Sequence, residues 1–168
     1  MKPSPVKPIL SSKRGDEISI SGEDLLELMQ DVLSKGAMFH FRAKGWSMAP
    51  FIRDGDAITI APRSQEKPAV GKVVAYIQAP SGRLVVHRVI GRKGPAFLIQ
   101  GDNTAGETDE LVYEQDILGC VTRIEREGHR VFLGLGVERY LVAYLSRHGL
   151  LDPVVRRLRI LKGRLFIK

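Results

Sequence analysis

Gly45-Trp46-Ser47-Met48-Ala49-Pro50-Phe51-Ile52-Arg53-Asp54-Gly55-Asp56 is the stretch on which the reading of the chain turns. A serine follows a glycine by two residues and precedes a proline by three. The apolar pair Phe51-Ile52 then leads into an Asp-Gly-Asp turn and the strand-like run 57–61. Glycine lets the backbone crowd close, and proline presets φ and discourages a helix through Met48-Ala49. The serine is therefore expected at a sharp bend, with its hydroxyl presented rather than packed. Gly45, Trp46, Met48 and Pro50 surround it as candidate substrate contacts; for Trp46 and Met48 the competing reading is core packing.

Upstream, residues 1–17 alternate Pro, Ser and Lys and read as a disordered tail. A helix is expected next: Ser21 caps it, Asp24 takes the capping-box position, and Leu25, Leu28, Met29, Val32 and Leu33 recur on one face until Gly36. One helix before the serine bend is too little for a helix-turn-helix, which counts against a repressor. From Met38 the period becomes two, with Phe39 and Phe41 alternating against His40 and Arg42. Strand-like runs follow at 57–61, 73–77, 84–90, 96–100, 117–127 and 130–133. Ala79-Pro80-Ser81-Gly82 has hairpin-turn chemistry, and a second turn is read at Gly128-His129. Beyond Gly136 the helical period returns: Leu141, Val142 and Leu145 mark one helix ending near Gly149, and Asp152-Pro153 begins another. These elements predict a mainly β fold, a partly closed antiparallel sheet with a leading helix and C-terminal helices. The domain reading is a tail over 1–17, a catalytic unit over 18–136 and a basic helical extension over 137–168.

With 43% hydrophobic and 27% charged residues among 168, the chain has the composition of a soluble globular domain. Its net charge of +7 suits an acidic partner, whether anionic lipid, nucleic acid or acidic peptide, or simply a solvated basic surface. The basic residues gather after the catalytic-like region without interleaved aromatics, which argues against nucleic acid. The single cysteine, Cys120, excludes an internal disulfide and a multi-cysteine zinc site, and its apolar run makes it a core residue. No stretch is long and apolar enough to span a membrane, and the N-terminus has no apolar signal-peptide core, so a cytoplasmic location is expected.

A serine hydroxyl needs a base within hydrogen-bond reach. Of the four histidines, His40, His129 and His148 fit surface or packing roles. His87 instead lies inside the apolar run Leu84-Val85-Val86-His87-Arg88-Val89-Ile90, where a polar ring requires a specific partner. The next strand ends in Gly101-Asp102-Asn103, and Asp109 follows a polar loop. Sequential strands usually neighbour in space, so Asp102 is the candidate to orient His87, although Gly-Asp-Asn is also ordinary β-turn chemistry. Lys72 is the one rival base, against its more usual role as a solvated strand-edge lysine.

Taken together, Gly-x-Ser-Met-x-Pro with its Gly-Asp (45–56), His-Arg-Val (87–89) and Gly-Asp-Asn (101–103) with a further Asp resemble, in that order, the type I signal peptidase and LexA-like serine protease superfamily. The likeness covers about residues 39–125. Bacterial leader peptidases and LexA-type repressors place a lysine where this chain has His87, so the resemblance is to the archaeal and endoplasmic-reticulum branch. It implies Ser47 as nucleophile, His87 as general base, Asp102 as its orienter and Asp109 as a second acidic position, with no metal or cofactor. It also implies an extended peptide or preprotein substrate bound by β-augmentation. Two departures stand out. Gly45 occupies a position where many relatives carry an oxyanion-binding hydroxyl, a donor worth about 2.7–4 kcal/mol, and no stretch here reads as a membrane anchor. The expected activity is signal- or leader-peptide cleavage; a maturation protease for one cytosolic leader and an inactive peptide-binding module are the alternatives. The basic residues after Asp152 (Arg156, Arg157, Arg159, Lys162, Arg164, Lys168), set among Val154, Val155, Leu158, Leu161 and Leu165, suit an amphipathic helix packed on the core with a solvated basic face, or one held on the inner face of an anionic membrane.

Overall fold

The computed structural model describes residues 9–11, 17–19, 21–104, 110–155 and 157. Within the stretch read as a disordered tail lies β1 (Ile9–Ser11), which pairs antiparallel with β2 (Glu17–Ser19) at the end of that stretch, Ile9 opposite Ser19. Composition pointed the other way because three-residue strands are too short to show an alternation.

The helix α1 (Gly22–Ser34) begins where its cap chemistry places it. Ser21 is extended, and its Oγ accepts the Asp24 backbone N–H at 3.1 Å. Leu25, Met29 and Leu33 are buried at four-residue spacing, whereas Leu28 lies off that line and is half-exposed. At the other end Gly36, at φ +76°, closes a Schellman motif: its N–H reaches Leu33 O, and Ala37 N–H reaches Val32 O.

Eight strands form one sheet. They are β3 (Phe39–Arg42), β4 (Ala57–Pro62), β5 (Val73–Gln78), β6 (Arg83–Lys93), β7 (Ala96–Gln100), β8 (Glu110–Tyr113), β9 (Ile117–Arg126) and β10 (His129–Val131). The hydrogen-bonded order is β3-β4-β9-β5-β6-β7-β8, all antiparallel, with β10 paired to β9. Among the described residues no pairing joins β3 to β8, so the sheet is open; register shifts at Thr59/Ile60, Ala75/Tyr76 and Val89/Gly91 bend it instead. Between β9 and β10 the turn is Glu127-Gly128, both at positive φ as a tight hairpin demands, one residue earlier than the Gly128-His129 reading.

Alternation along the strands builds two cores. Val73 and Ala75 of β5 join α1, Phe39, Phe41, Ile58, Ile60, Val121 and Ile124 on one face. Val74 and Tyr76 join Val89, Phe97, Ile99, Val112, Ile117 and Cys120 on the other. A third cluster forms where α2 (Arg139–Arg147) packs Val142, together with Leu151, onto Phe51. The buried residues of α2 are Val142, Ala143 and Ser146; Leu141, read as an inward position, is 59% exposed, because the inward stripe begins one residue later. Helical structure resumes at residue 151, so Asp152-Pro153 lies just inside that helix rather than capping it. Residues beyond 157, including most of the basic amphipathic stretch, lie outside the described residues.

Cys120 is fully buried and its thiol, which donates to the Glu66 carbonyl at 3.3 Å, is pushed up to about 11 by burial. A disulfide-exchange reagent at pH 8 should therefore leave the native protein unmodified and titrate one thiol only after guanidinium is added. Rapid modification of the native protein would contradict this placement of β9.

Candidate active site

The serine bend forms as its residue types require. Gly45 adopts φ +97°, a conformation that a side chain resists, and its N–H donates to Asp54 Oδ1 at 2.8 Å. The departure from a hydroxyl residue at this position thus has a backbone reason. Turn bonds from Ala49 N–H to Trp46 O and from Phe51 and Ile52 N–H to Met48 O complete the bend. Met48 is buried among the α1-side core residues, which corrects its reading as a substrate contact in favour of core packing. Trp46 is 64% exposed beside the serine, Gly45 is exposed and Pro50 is half-buried.

Ser47 Oγ lies 3.0 Å from His87 Nε2, although the two are forty residues apart. This is hydrogen-bond distance for a nucleophile and its base. Burial lowers the His87 pKa below its ordinary value, and the Glu110 carboxylate opposes that shift. The ring is therefore neutral, and able to accept a proton, throughout the neutral range. The other histidines hold local contacts: His40 Nδ1 with Thr59 Oγ1 at 2.9 Å, His129 Nδ1 with the Glu127 carbonyl at 3.0 Å, and His148 against the Tyr144 ring. Lys72 is engaged elsewhere, paired with Glu66 and donating to the Lys67 carbonyl at 2.6 Å.

Asp102 does not orient His87. Its two oxygens take Nε and Nη2 of Arg88 at 2.8 and 2.7 Å, and neither side chain has any exposed surface. The reason lies in β6: consecutive residues point to opposite faces, so His87 faces Tyr76 while Arg88 faces Phe51, whose ring centroid is 5.3 Å away. The guanidinium also donates to the carbonyls of Gly71 and Gly134, both at 2.8 Å. Asp109 lies outside the described residues.

The rest of Gly-Asp-Asn does touch the serine bend. Asn103 N–H donates to Ser47 O at 2.7 Å, and Asn103 Nδ2 donates to Trp46 O at 3.1 Å. Gly101 lets this approach happen. A Cβ there would lie 2.8 Å from the Ser47 carbonyl oxygen and 3.1 Å from His87 Nε2, so any side chain would push into the Ser47–His87 pair.

Two residues that the sequence reading passed over complete the surroundings. The Tyr76 hydroxyl stands 3.4 Å from His87 Nδ1 and donates to the Glu110 carboxylate, which also accepts from Gln78 Nε2. Register explains the meeting: Tyr76 pairs with Val85, two residues before His87 on the same face, and Glu110 opens β8 opposite Ile99.

An antiparallel sheet that holds a bend-mounted serine against a half-buried histidine whose pKa is lowered defines a serine-peptidase scaffold. A family model described as Peptidase S24-like matches residues 11–122, and the chain belongs to that family. No curated protein matches the chain.

Replacing Asp102 with asparagine should leave a buried, incompletely paired guanidinium at a cost of about 3–5 kcal/mol, the range for breaking a buried ion pair. Urea unfolding should show this as a lowered midpoint, with any loss of activity following the loss of fold. Wild-type stability combined with a selective loss of turnover would return Asp102 to the role of His87's orienter.

Proposed function

We propose that the chain is a serine endopeptidase cleaving a signal or leader peptide, with Ser47 as nucleophile and His87 as general base. The observation that carries this reading is the 3.0 Å approach of Ser47 Oγ to His87 Nε2. In acylation Oγ attacks the scissile carbonyl while its proton passes to Nε2; His87 then returns that proton to the leaving amine and afterwards activates water. The histidine in place of lysine supports the archaeal and endoplasmic-reticulum-like branch. The exposed Trp46 gives an extended peptide an aromatic surface beside the nucleophile. A single dedicated leader is the narrower form of the same reading.

Incubation with leader peptides and small preproteins, followed by intact-mass analysis, tests this. Wild-type protein should yield two products summing to substrate plus water, and Ser47→Ala should yield none while keeping its unfolding midpoint. Because the His87 pKa is lowered, its protonated form builds up only below about pH 6.5. The rate should thus be flat through neutrality and fall on the acid side of that value. Cleavage by folded Ser47→Ala, or a rate still climbing above pH 9, would remove this mechanism.

The proposed location is the surface of an anionic membrane. Among the described residues no helix is long and apolar enough to cross a bilayer. The outer side of α2 and its approach nevertheless expose Val137, Tyr140, Leu141 and Tyr144 beside Arg139 and Arg147, on a chain of net charge +7. Aromatic and aliphatic side chains with basic neighbours suit the headgroup boundary, and each basic residue near such a surface contributes about 1 kcal/mol. Full-length protein should sediment with anionic but not neutral vesicles and be released by salt. Tyr140→Ser with Tyr144→Ser should weaken that binding, and unchanged sedimentation would exclude this face.

A further inference from the structure

We propose that Tyr76 and Glu110 are positioning residues for the base, forming with His87 a Glu-Tyr-His relay that stands where an aspartate would directly hold the imidazole. The inference rests on the reading of Ser47 and His87 given above and specifies how that site is held.

The hydrogen-bond roles permit one consistent arrangement. For Nε2 to receive the serine proton, the neutral ring must carry its own proton on Nδ1. Nδ1 faces the Tyr76 hydroxyl, whose proton is already committed to the Glu110 carboxylate. A carboxylate only accepts, so the Tyr76 oxygen is left to accept from Nδ1–H, and the tautomer is set by the chain Glu110, Tyr76, His87. When Nε2 takes the proton from Ser47 as the Oγ–carbon bond forms, the imidazolium retains both N–H groups. The proton stays on the ring, and the Glu110 charge, one hydroxyl away, favours the cation. Burial and Glu110 push the Tyr76 hydroxyl far above its ordinary range, so it remains a neutral O–H and conveys polarisation without taking the proton.

Packing alone does not call for this tyrosine. Tyr76 has no exposed surface and lies with Val74, Val89, Phe97, Ile99 and Val112, a setting that phenylalanine would fill without burying a hydroxyl. Among the described residues, the titratable groups facing the His87 ring are Tyr76 from β5 and Glu110 from β8, beside the Ser47 hydroxyl from the bend, with Gly101 contributing only backbone. Arg88 and Asp102 are paired with each other across the sheet.

The test uses full-length wild type, Glu110→Gln, Glu110→Asp and Tyr76→Phe. The His87 ring protons are followed by NMR against pH, with His87→Gln for assignment, and the rate of covalent labelling by a fluorophosphonate is measured over the same range. Glu110→Gln should move the His87 titration to lower pH and reduce the plateau labelling rate by roughly tenfold or more. Tyr76→Phe should reduce the plateau similarly, and Glu110→Asp should recover part of it. A merely structural role predicts the opposite titration shift, because a loosened site admits water and returns the imidazole toward about 6.5. An unchanged or upward shift in Glu110→Gln, or an undiminished plateau in both Glu110→Gln and Tyr76→Phe, would overturn the relay. Failure of the wild type to label would count against the nucleophile assignment instead, and the titration alone would then decide the relay.

Discussion

The interaction on which the rest of the structure depends is the buried pair of Arg88 and Asp102. Two charges without any exposed surface are tolerable only when their hydrogen-bonding capacity is met, and here the guanidinium is met from three directions: the carboxylate, the Gly71 carbonyl before β5 and the Gly134 carbonyl before α2. One side chain thereby ties β6 to the end of β7 and to the C-terminal segment. Asp102 sits between Gly101 and Asn103, which touch the serine bend and the histidine, so the pair sets how closely the bend approaches β6. The 3.0 Å separation of Ser47 and His87 follows from an ion pair that contacts neither of them.

Strand β6 divides the labour by its pleat. His87 points to the face of Tyr76, where burial keeps it neutral and Glu110 moderates that effect; Arg88, one residue on, points to the face of Phe51 and α2. The histidine proposed as base and the scaffold charge thus occupy opposite sides of one strand, shielded from each other by the sheet. The C-terminal segment shares in this arrangement: Phe51, a residue of the serine bend, packs on Val142 and Leu151, and Ser146 Oγ donates to Gln100 Oε1 at 3.0 Å.

Features that depend on local pattern were legible in the sequence. They include the capped and glycine-terminated α1, the strands from 39 to 127 other than β8, the hairpin at 79–82 and the pairing of Ser47 with His87. Features that depend on which face a residue occupies were not. Asp102 was matched to the nearer unusual residue, His87, when the adjacent Arg88 offered it a bidentate partner. Met48 and Leu141 were placed by neighbourhood and composition and turned out on the opposite side, the first buried and the second exposed. Tyr76 reads as an ordinary strand residue, and Glu110 opens a four-residue strand after a polar loop. Neither stands out until the β5–β6 register brings Tyr76 to Nδ1 of His87 and the β7–β8 register brings Glu110 to the Tyr76 hydroxyl. The signal that could have found them was the requirement for a partner at that nitrogen, applied to the same-face diagonal neighbour.

The central claim is that Ser47 is a nucleophile activated by His87. Mass mapping of the adduct formed by a fluorophosphonate on full-length protein at pH 7 tests it most directly. The account predicts a single adduct on the peptide containing Ser47, lost when His87 is replaced by alanine in a protein that still folds. An adduct on another residue, or one that forms on Ser47 at an undiminished rate without His87, would contradict it.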